Sequence, residues 1–296
     1  MKIDKYAEHK LFPAIILALL AIIWGSSFIL IKKGLESFDP IQVGTIRIMF
    51  ACLVLLPIAV KNISHHFKRD WKKFLAVGLI GNFTPAILFA YAETGISSSL
   101  AGILNALTPI FTMLIGAMAF ATKITRWQIL GLIIGFAGSV ALSFVGTGGT
   151  LGSFNHFAVT VIVATLLYGI AINLIKKFFQ NLSTPVLTSL IFFSVGPIAV
   201  IYLLTTDFIP TVINKPESWA SLFYIFLLGA IGTSFALVLF NKIIQQTTAV
   251  FASTVTYLIP IIAVAWGIID GESLYPIHFV GMAMIISGVY IVNKNK

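Results

Sequence analysis

The chain contains little charge and almost no cysteine. Only 10% of its 296 residues are Asp, Glu, Lys or Arg, whereas 58% are hydrophobic, and the mean hydropathy is +1.01. Soluble domains carry about 25% charged residues, so this composition excludes an ordinary soluble fold. The single cysteine, Cys52, excludes an intrachain disulfide and a cysteine-built metal centre. The composition therefore predicts a protein that lies in a lipid bilayer.

Several motifs that carry chemistry are also missing. The sequence has no glycine-rich loop ending in Lys-Ser or Lys-Thr, which argues against an ATP-driven pump on this chain. The five histidines show no metal-ligand spacing and no Asp or Glu cluster joins them, so we expect neither a metal nor a cofactor. The net charge of +9 is scattered over short connectors without an aromatic stacking surface. We therefore expect no nucleic-acid partner.

What the chain does have is ten apolar runs, each long enough to cross about 30 Å of hydrocarbon. Their connectors are short, and a Gly-rich stretch at 146–156 separates the fifth run from the sixth. No small-residue cleavage pattern follows the first run, so it is expected to be a retained helix. The runs cover residues 11–31, 41–60, 74–92, 97–120, 126–146, 157–175, 184–205, 219–241, 248–269 and 276–293.

The distribution of Lys and Arg predicts how these runs are oriented. Fifteen of the nineteen basic residues fall on one side of the membrane, three fall on the other side, and Arg47 lies inside the second run. Basic residues are retained on the cytoplasmic side. Both termini are therefore predicted to be cytoplasmic, in a multi-pass protein of a plasma membrane or a bacterial inner membrane.

The two halves of the chain repeat each other. The Trp-Gly pair at 24–25 aligns with the Tyr-Gly pair at 168–169 at an offset of 144 residues, and Pro109 aligns with Pro260 at an offset of 151. Five helices per half is an odd number, so the second half must enter the membrane from the opposite side. We therefore predict an all-α fold of ten helices, with a site near the midplane between two inverted five-helix repeats. The predicted repeats are residues 11–146 and 156–293.

The fourth and ninth runs each carry small and polar residues on one helical face. Asn105 and Thr108 lie on this face in the fourth run, and Thr256 lies on the equivalent face in the ninth run, with Tyr257 beside it. Polar groups would be unsatisfied in lipid, so these faces are expected to contact protein or a cavity. Helix packing is the alternative role. The predicted helix breaks in these runs are Pro109 and Pro260.

Two charged residues are candidates for coupling or charge pairing. Glu93 follows Asn82 and Phe89 on one face of the third run, where it either binds a proton in a desolvated site or lies in solvent. Arg47 lies about two turns into the second run. It either extends to the outer surface, pairs inside the protein or binds a carboxylate solute. The sequence favours solvent exposure for Glu93 and a structural role for Arg47.

Several short motifs resemble the EamA type of the drug/metabolite transporter superfamily. They are W-G-x-x-F in the first run, an Arg in the second, Y-A before S-S-L-A-G-I-L-N-A-L-T-P-I-F-T, and Gly271-Glu272 after the ninth run. The first half has FATKIT at 120–125 where a Gly-Glu pair is usual, so an acidic helix-end role is expected only for Glu272. The resemblance covers nearly the whole chain. It implies a central cavity lined chiefly by the first, third, fourth, sixth, eighth and ninth helices.

The resemblance further implies a secondary transporter of small metabolites that exports amino acids or similar amphipathic solutes by alternating access. The alternatives are an intramembrane enzyme that modifies lipid and a channel or facilitator. An enzyme would need a nucleophile with a base, or two carboxylates, and the ten runs contain no Asp or Glu. We therefore expect a small-molecule substrate and no catalytic residues.

An aromatic-rich cavity wall would suit an apolar or aromatic solute. Glycines in the fifth and tenth runs suit close packing between these helices or at the face of a homodimer. The candidate solute-binding residues are Trp24, Ser27, Asn82, Phe89, Tyr91, Asn105, Thr108, Tyr168, Thr256, Tyr257 and Trp266.

Overall fold

The computed structural model describes residues 15–120, 125–143 and 155–294, and the regular secondary structure in these ranges is helical. Eight helices have the length and composition of membrane spans. A short helix, Phe208–Asn214, lies between the helices Thr184–Leu204 and Ser218–Gln246. In chain order, the main helices are α1 Ile15–Leu35, α2 Pro40–Asn62, α3 Lys68–Ala92, α4 Ser98–Phe120, α5 Arg126–Ser143, α6 His156–Phe178, α7 Thr184–Leu204, α8 Ser218–Gln246, α9 Ala249–Ile269 and α10 Pro276–Lys294.

These helices fall on the ten apolar runs, with longer polar ends on α3 and α8. Lys, Asn and Gln are compatible with helix, so the backbone hydrogen bonds continue past the apolar run. The apolar segments of α5 and α10 are short, at Arg126–Gly138 and Pro276–Gly288. Ten membrane crossings therefore stay a prediction. Cytoplasmic termini stay a prediction too, since both termini lie outside the described residues. Residues 121–124 of FATKIT and residues 146–154 of the expected linker also lie outside them.

Local signals in the sequence explain where several helices begin. The Asp39 carboxylate accepts hydrogen bonds from the backbone N–H groups of Ile41 and Gln42 at 2.8 and 2.9 Å, and the Gln42 side chain accepts one from the Asp39 N–H. This capping box satisfies donors that the first turn of α2 leaves free. The caps of α4 and α9 are Ser97 and Thr248, which stand 151 residues apart. The repeat therefore extends to the helix starts.

The two halves pack against each other through equivalent helices. α2 packs on α7, α5 packs on α10, and the first part of α4 packs on the second part of α9. α1 contacts α8 and α9, while α6 contacts α3 and α4. Helix α6 is the counterpart of α1, and α3 and α4 are the counterparts of α8 and α9, so the contacts of α6 repeat those of α1 with the halves exchanged. Each half therefore completes the core of the other.

Gly25 and Gly169 lie at equivalent close contacts between the halves. A Cβ on Gly25 would clash with the side chain of Ile262 in α9. A Cβ on Gly169 would lie 2.8 Å from the backbone nitrogen of Thr112 and 2.9 Å from the carbonyl carbon of Phe111, both in α4. Phe111 and Ile262 are 151 residues apart, so the same approach occurs twice. Glycine lets the helices approach this closely because it has no side chain.

The outer surface of the bundle is apolar. Large side chains such as Met118, Ile201 and Trp219 remain 76%, 63% and 60% exposed. A water-soluble protein rarely exposes contiguous apolar surface on this scale. In a bilayer these side chains contact lipid, so the exposure carries no cost.

Candidate functional site

A cavity lies between the two halves of the bundle. It contains about 1010 Å³ of space free of protein atoms, including the space at its mouth. Eight helices contribute to its wall, since α2 and α7 join the six that the family resemblance implies. A mostly apolar concavity with a few polar groups is typical of small-molecule sites. Its polar side chains are Ser27, Arg47, Asn82, Asn105, Thr108, Tyr168, Thr188, Thr233, Asn241 and Thr256.

Most of the residues predicted to bind solute lie on this wall. Their role in binding stays a prediction, but the fold brings them together from both halves. Trp24 contacts Phe240 edge to face at 4.9 Å between ring centroids, and Tyr168 stacks on Phe89 at 5.8 Å. The predicted residues on the wall are Trp24, Ser27, Asn82, Phe89, Asn105, Thr108, Tyr168 and Thr256.

Three predicted residues, Tyr91, Tyr257 and Trp266, are not among the described wall residues. Tyr91 and Trp266 are 40% and 39% exposed, and the Trp266 indole donates to Ser26 Oγ at 2.8 Å. Tyr257 packs against the main apolar cluster. Thr256 and Tyr257 lie in a 3-10 segment that turns about 120° per residue, so the Tyr257 side chain points away from the face of Thr256. These three residues were candidates because they are aromatic, and the helical face on which each lies was not considered.

Helices α4 and α9 are interrupted where they pass the cavity. In α4 the α-helical hydrogen bonding stops at Asn105 and resumes at Thr108. In α9 it stops at Ser253, gives way to a 3-10 turn, and resumes at Ile259. Each helix resumes one residue before its proline, which has no N–H and clashes with the preceding turn. The freed Asn105 carbonyl accepts a hydrogen bond from Thr108 Oγ1 at 2.9 Å.

Helices α3 and α8 widen to π-helix at matching places, which the sequence analysis missed. The π segments are Leu79–Phe83 and Leu228–Phe235. Asn82 and Thr233 stand 151 residues apart in them, and both lie on the cavity wall. Nearby, the Gly232 carbonyl accepts a hydrogen bond from Trp24 Nε1 at 2.8 Å. Such segments are frequent at functional sites because they redirect side chains and backbone groups.

Arg47 is the charged side chain among the described wall residues. Its Nε donates to Thr233 Oγ1 at 2.7 Å, and that hydroxyl donates to the Leu228 carbonyl at 2.9 Å. Across the described ranges, the guanidinium forms no ion pair, and its terminal nitrogens Nη1 and Nη2 have no hydrogen-bond partner. Arg47 therefore points into the protein and does not extend to the outer surface.

Glu93 follows the end of α3, and its carboxylate is buried. Neither carboxylate oxygen has a hydrogen-bond partner in the part of the chain that the structure describes. Burial, with a smaller contribution from the charge of Glu272, raises the pKa of Glu93 well above its ordinary value, and Lys32 and Arg47 oppose the rise. The expectation of solvent exposure was wrong. Glu93 comes four residues after buried Phe89, so both lie on the inward face of this segment.

A group of polar and charged residues joins α1, α4 and the end of α9. Glu272 accepts hydrogen bonds from the backbone N and Oγ of Ser98 at 3.0 and 2.5 Å, and from those of Ser99 at 3.1 and 2.6 Å. Lys32 contacts Glu272 at 3.1 Å and Asp270 at 2.7 Å. Burial opposes the charge, but these hydrogen bonds hold the pKa of Glu272 below its ordinary value. We call these five residues the charged latch.

No group of three His, Cys, Asp or Glu side chains is placed to hold a metal ion within the described ranges. The site instead consists of a large apolar cavity, two interrupted helices, two π segments and one guanidinium. Between two repeated halves of a membrane-spanning bundle, this arrangement is that of a membrane transporter.

Comparison with known proteins identifies the family. The model of the EamA-like transporter family matches residues 11–144 and again residues 157–294. The chain belongs to this family, which is of the drug/metabolite transporter type, and it is a multi-pass small-molecule transporter of the cell membrane.

Curated relatives match along nearly the whole chain. An uncharacterized transporter of Archaeoglobus fulgidus is 26% identical over 95% of this chain and 99% of its own. The uncharacterized inner membrane transporter YedA of Escherichia coli is 23% identical, over 94% and 89%. A Salmonella typhimurium protein named "Probable amino-acid metabolite efflux pump" is 22% identical, over 92% of each chain. A solved crystal structure shares the fold with a TM-score of 0.66 at 14% identity, over 94% and 95%.

Proposed function

We propose that this chain is a secondary transporter that exports amino acids or similar amphipathic solutes by alternating access between its two repeats. The cavity carries the proposal, because its wall combines aromatic side chains from both halves with isolated polar groups at the helix interruptions. Relatives from Salmonella typhimurium and Escherichia coli that are named as amino-acid metabolite efflux pumps support this substrate class.

Alternating access requires contacts between the halves that form and break as they rock. The charged latch has this character, since Lys32, Ser98 and Ser99 come from the first half, whereas Asp270 and Glu272 come from the second. Its ion pairs are only partly buried, so separating them restores hydration to each charge. The glycine contacts at 25 and 169 give the halves closely apposed backbones along which to move.

The proposal is tested by counterflow of radiolabelled amino acids and aromatic metabolites into liposomes that contain the purified protein. Replacement of Trp24 or Asn105 by Ala should reduce the initial rate of counterflow about tenfold or more, because each variant loses a cavity-wall side chain that would position the solute. Trp219→Ala and Asn181→Ala are matched controls at exposed positions and should retain the rate of the wild type.

Two results would contradict the proposal. One is the absence of counterflow for every solute in the set by well-folded wild-type protein. The other is a wild-type rate in both wall variants, which would place the solute pathway outside this cavity.

A further inference from the structure

The charge of Arg47 lacks a counterpart in the part of the protein that the structure describes. The residue lies seven positions into α2, about 10 Å along the helix from Pro40. A guanidinium stays protonated in proteins, so this charge cannot be removed by losing a proton. Charged groups inside membrane proteins are costly unless they pair or face a water-filled cavity. Arg47 faces the cavity, so either water there or a partner of opposite charge can satisfy it, and an anion that enters the cavity would displace that water and become the partner.

The neighbouring side chains do not supply that partner. The described wall residues include no Asp or Glu, and Thr233 offers Arg47 a neutral hydroxyl. Glu93 is near enough to influence Arg47 electrostatically, but it forms no ion pair with it and does not line the cavity. Burial raises the pKa of Glu93, which disfavours the ionised form that could offset the charge of Arg47.

The orientation of Arg47 leaves part of its guanidinium available. Nε is held by Thr233, which the π segment of α8 presents, whereas Nη1 and Nη2 carry N–H groups that no described residue accepts. These donors can form parallel hydrogen bonds to the two oxygens of a carboxylate. The remaining wall is largely aromatic and aliphatic, with Trp24, Phe89 and Phe240 among its members.

We infer that the solute supplies the missing charge, and that the cavity binds an organic monocarboxylate whose carboxylate pairs with Arg47 and whose apolar or aromatic body lies against these rings. The inference rests on the proposed transport function and selects, from the amphipathic solutes named there, carboxylates that carry no ammonium group. A zwitterionic amino acid is a poorer fit, because the described wall residues offer its ammonium group no carboxylate. A phosphate dianion is also a poorer fit, since one guanidinium would face two negative charges.

The test uses four probes that share a phenyl body and differ in charge: 3-phenylpropionate, 3-phenylpropionamide, 3-phenylpropylamine and phenylalanine. Binding to the full chain is measured by the shift of its melting temperature in detergent, and transport by counterflow in liposomes. The wild type should bind the carboxylate at least about tenfold more tightly than the amide. Arg47→Gln should reduce that ratio to about one, chiefly by weakening the binding of the carboxylate.

Two further variants separate charge from fold. Arg47→Lys keeps the charge but loses the planar pair of N–H donors. It should therefore prefer the carboxylate to the amide, by a smaller ratio than the wild type does. Lys61→Gln removes an exposed cation from the same helix and should behave as the wild type. The Arg47→Lys result stands even if Arg47→Gln fails to fold.

The inference is overturned if the wild type binds the amide as tightly as the carboxylate, if it does not bind the carboxylate, or if Arg47→Gln keeps the wild-type ratio. Any of these results leaves the transporter proposal intact when other solutes show counterflow. Failure of the transporter proposal is different, because it appears as no counterflow for any solute.

Discussion

At the scale of single residues, the site contains one charge that is permanent and one that can be neutralised. Arg47 stays protonated, whereas Glu93 loses its charge when it binds a proton. Each residue influences the other electrostatically. An ionised Glu93 would offset the charge of Arg47, so a solute anion and a proton on Glu93 should favour each other's binding. Proton coupling through Glu93 stays a prediction.

Glu93→Gln tests this coupling. Burial raises the pKa of Glu93, so the neutral form is favoured at low pH and is lost as the pH rises through that raised pKa. Gln imitates the neutral acid at every pH. We expect transport at neutral pH within about twofold of the wild type, since one neutral group replaces another of similar shape, and no acceleration by a pH gradient. The measurement is counterflow with and without the gradient.

Glu217→Gln is the matched control for this experiment, because Glu217 is exposed. This variant should retain whatever acceleration the wild type shows. Persistence of that acceleration in Glu93→Gln would assign the coupling proton to another group, and a wild type insensitive to the gradient would make the protein a facilitator.

At the scale of helices, the interruptions of α4 and α9 determine which groups face the solute. Asn105 and Thr108 lie on either side of the interruption in α4, and the Asn105 carbonyl accepts a hydrogen bond from Thr108 Oγ1 because Pro109 supplies no N–H. The equivalent interruption in α9 places Thr256 on the same cavity. A continuous helix would hydrogen-bond its backbone groups internally. Because both repeats are interrupted at this place, polar groups can face the cavity.

Pro109→Ala should restore a backbone N–H and let α4 continue across the interruption. We expect slower amide hydrogen exchange at 105–109, unchanged or higher thermal stability, and at least about a fivefold loss of transport, because a small displacement of positioned groups is costly. Pro57→Ala is the matched control, since Pro57 lies inside the uninterrupted α2 away from the described wall. Wild-type transport by a Pro109→Ala protein with a continuous α4 would show that the interruption is not needed.

The helices themselves were predictable from sequence, whereas the details of their hydrogen bonding were only partly so. Long apolar runs and short connectors indicate membrane helices almost independently of tertiary structure. Proline removes one helical hydrogen bond, so positions 109 and 260 carried a visible signal, although helices continue through Pro57 and Pro197. The π segments have no comparable periodicity. The matching glycines in the two π segments, Gly81 and Gly232, are again 151 residues apart, but the sequence analysis did not use them.

Side-chain environments were harder to predict because they depend on neighbouring helices. The buried position of Glu93 and the free donors of Arg47 follow from how α3 and α8 pack, which no window of sequence contains. For the same reason Thr188 and Asn241, which bond to each other at 2.9 Å on the wall, were not among the candidate residues.

At the scale of the whole molecule, the charged latch joins the two halves at one end of the bundle. Glu272 is the acidic residue that the sequence assigned to a helix end, and it binds the first turn of α4 from the opposite half. Its lowered pKa means that the ionised form is bound more strongly. The contribution of the latch is therefore present above the ordinary carboxyl pKa and is lost as the pH falls through the lowered one.

Glu272→Gln should weaken the latch at neutral pH, because the ion pair with Lys32 is removed and the serine donors lose a charged acceptor. Spin labels on Thr94→Cys and Ser273→Cys, in a Cys52→Ala background, report the distance between the halves at this end. We expect a longer and broader distance distribution than in the labelled parent. The Glu217→Gln protein should match the parent, and an unchanged distribution in Glu272→Gln would mean that the latch does not hold this end closed.

The claim that the cavity is the solute pathway is tested most directly by the chemical accessibility of Asn105→Cys in the Cys52→Ala background. The rate of its modification by a membrane-impermeant thiol reagent is measured in oriented liposomes from each side, with and without a solute that shows counterflow. We predict modification from both sides, slowed by saturating solute on either side. Modification that is absent from one side, or that solute does not slow, would contradict the account.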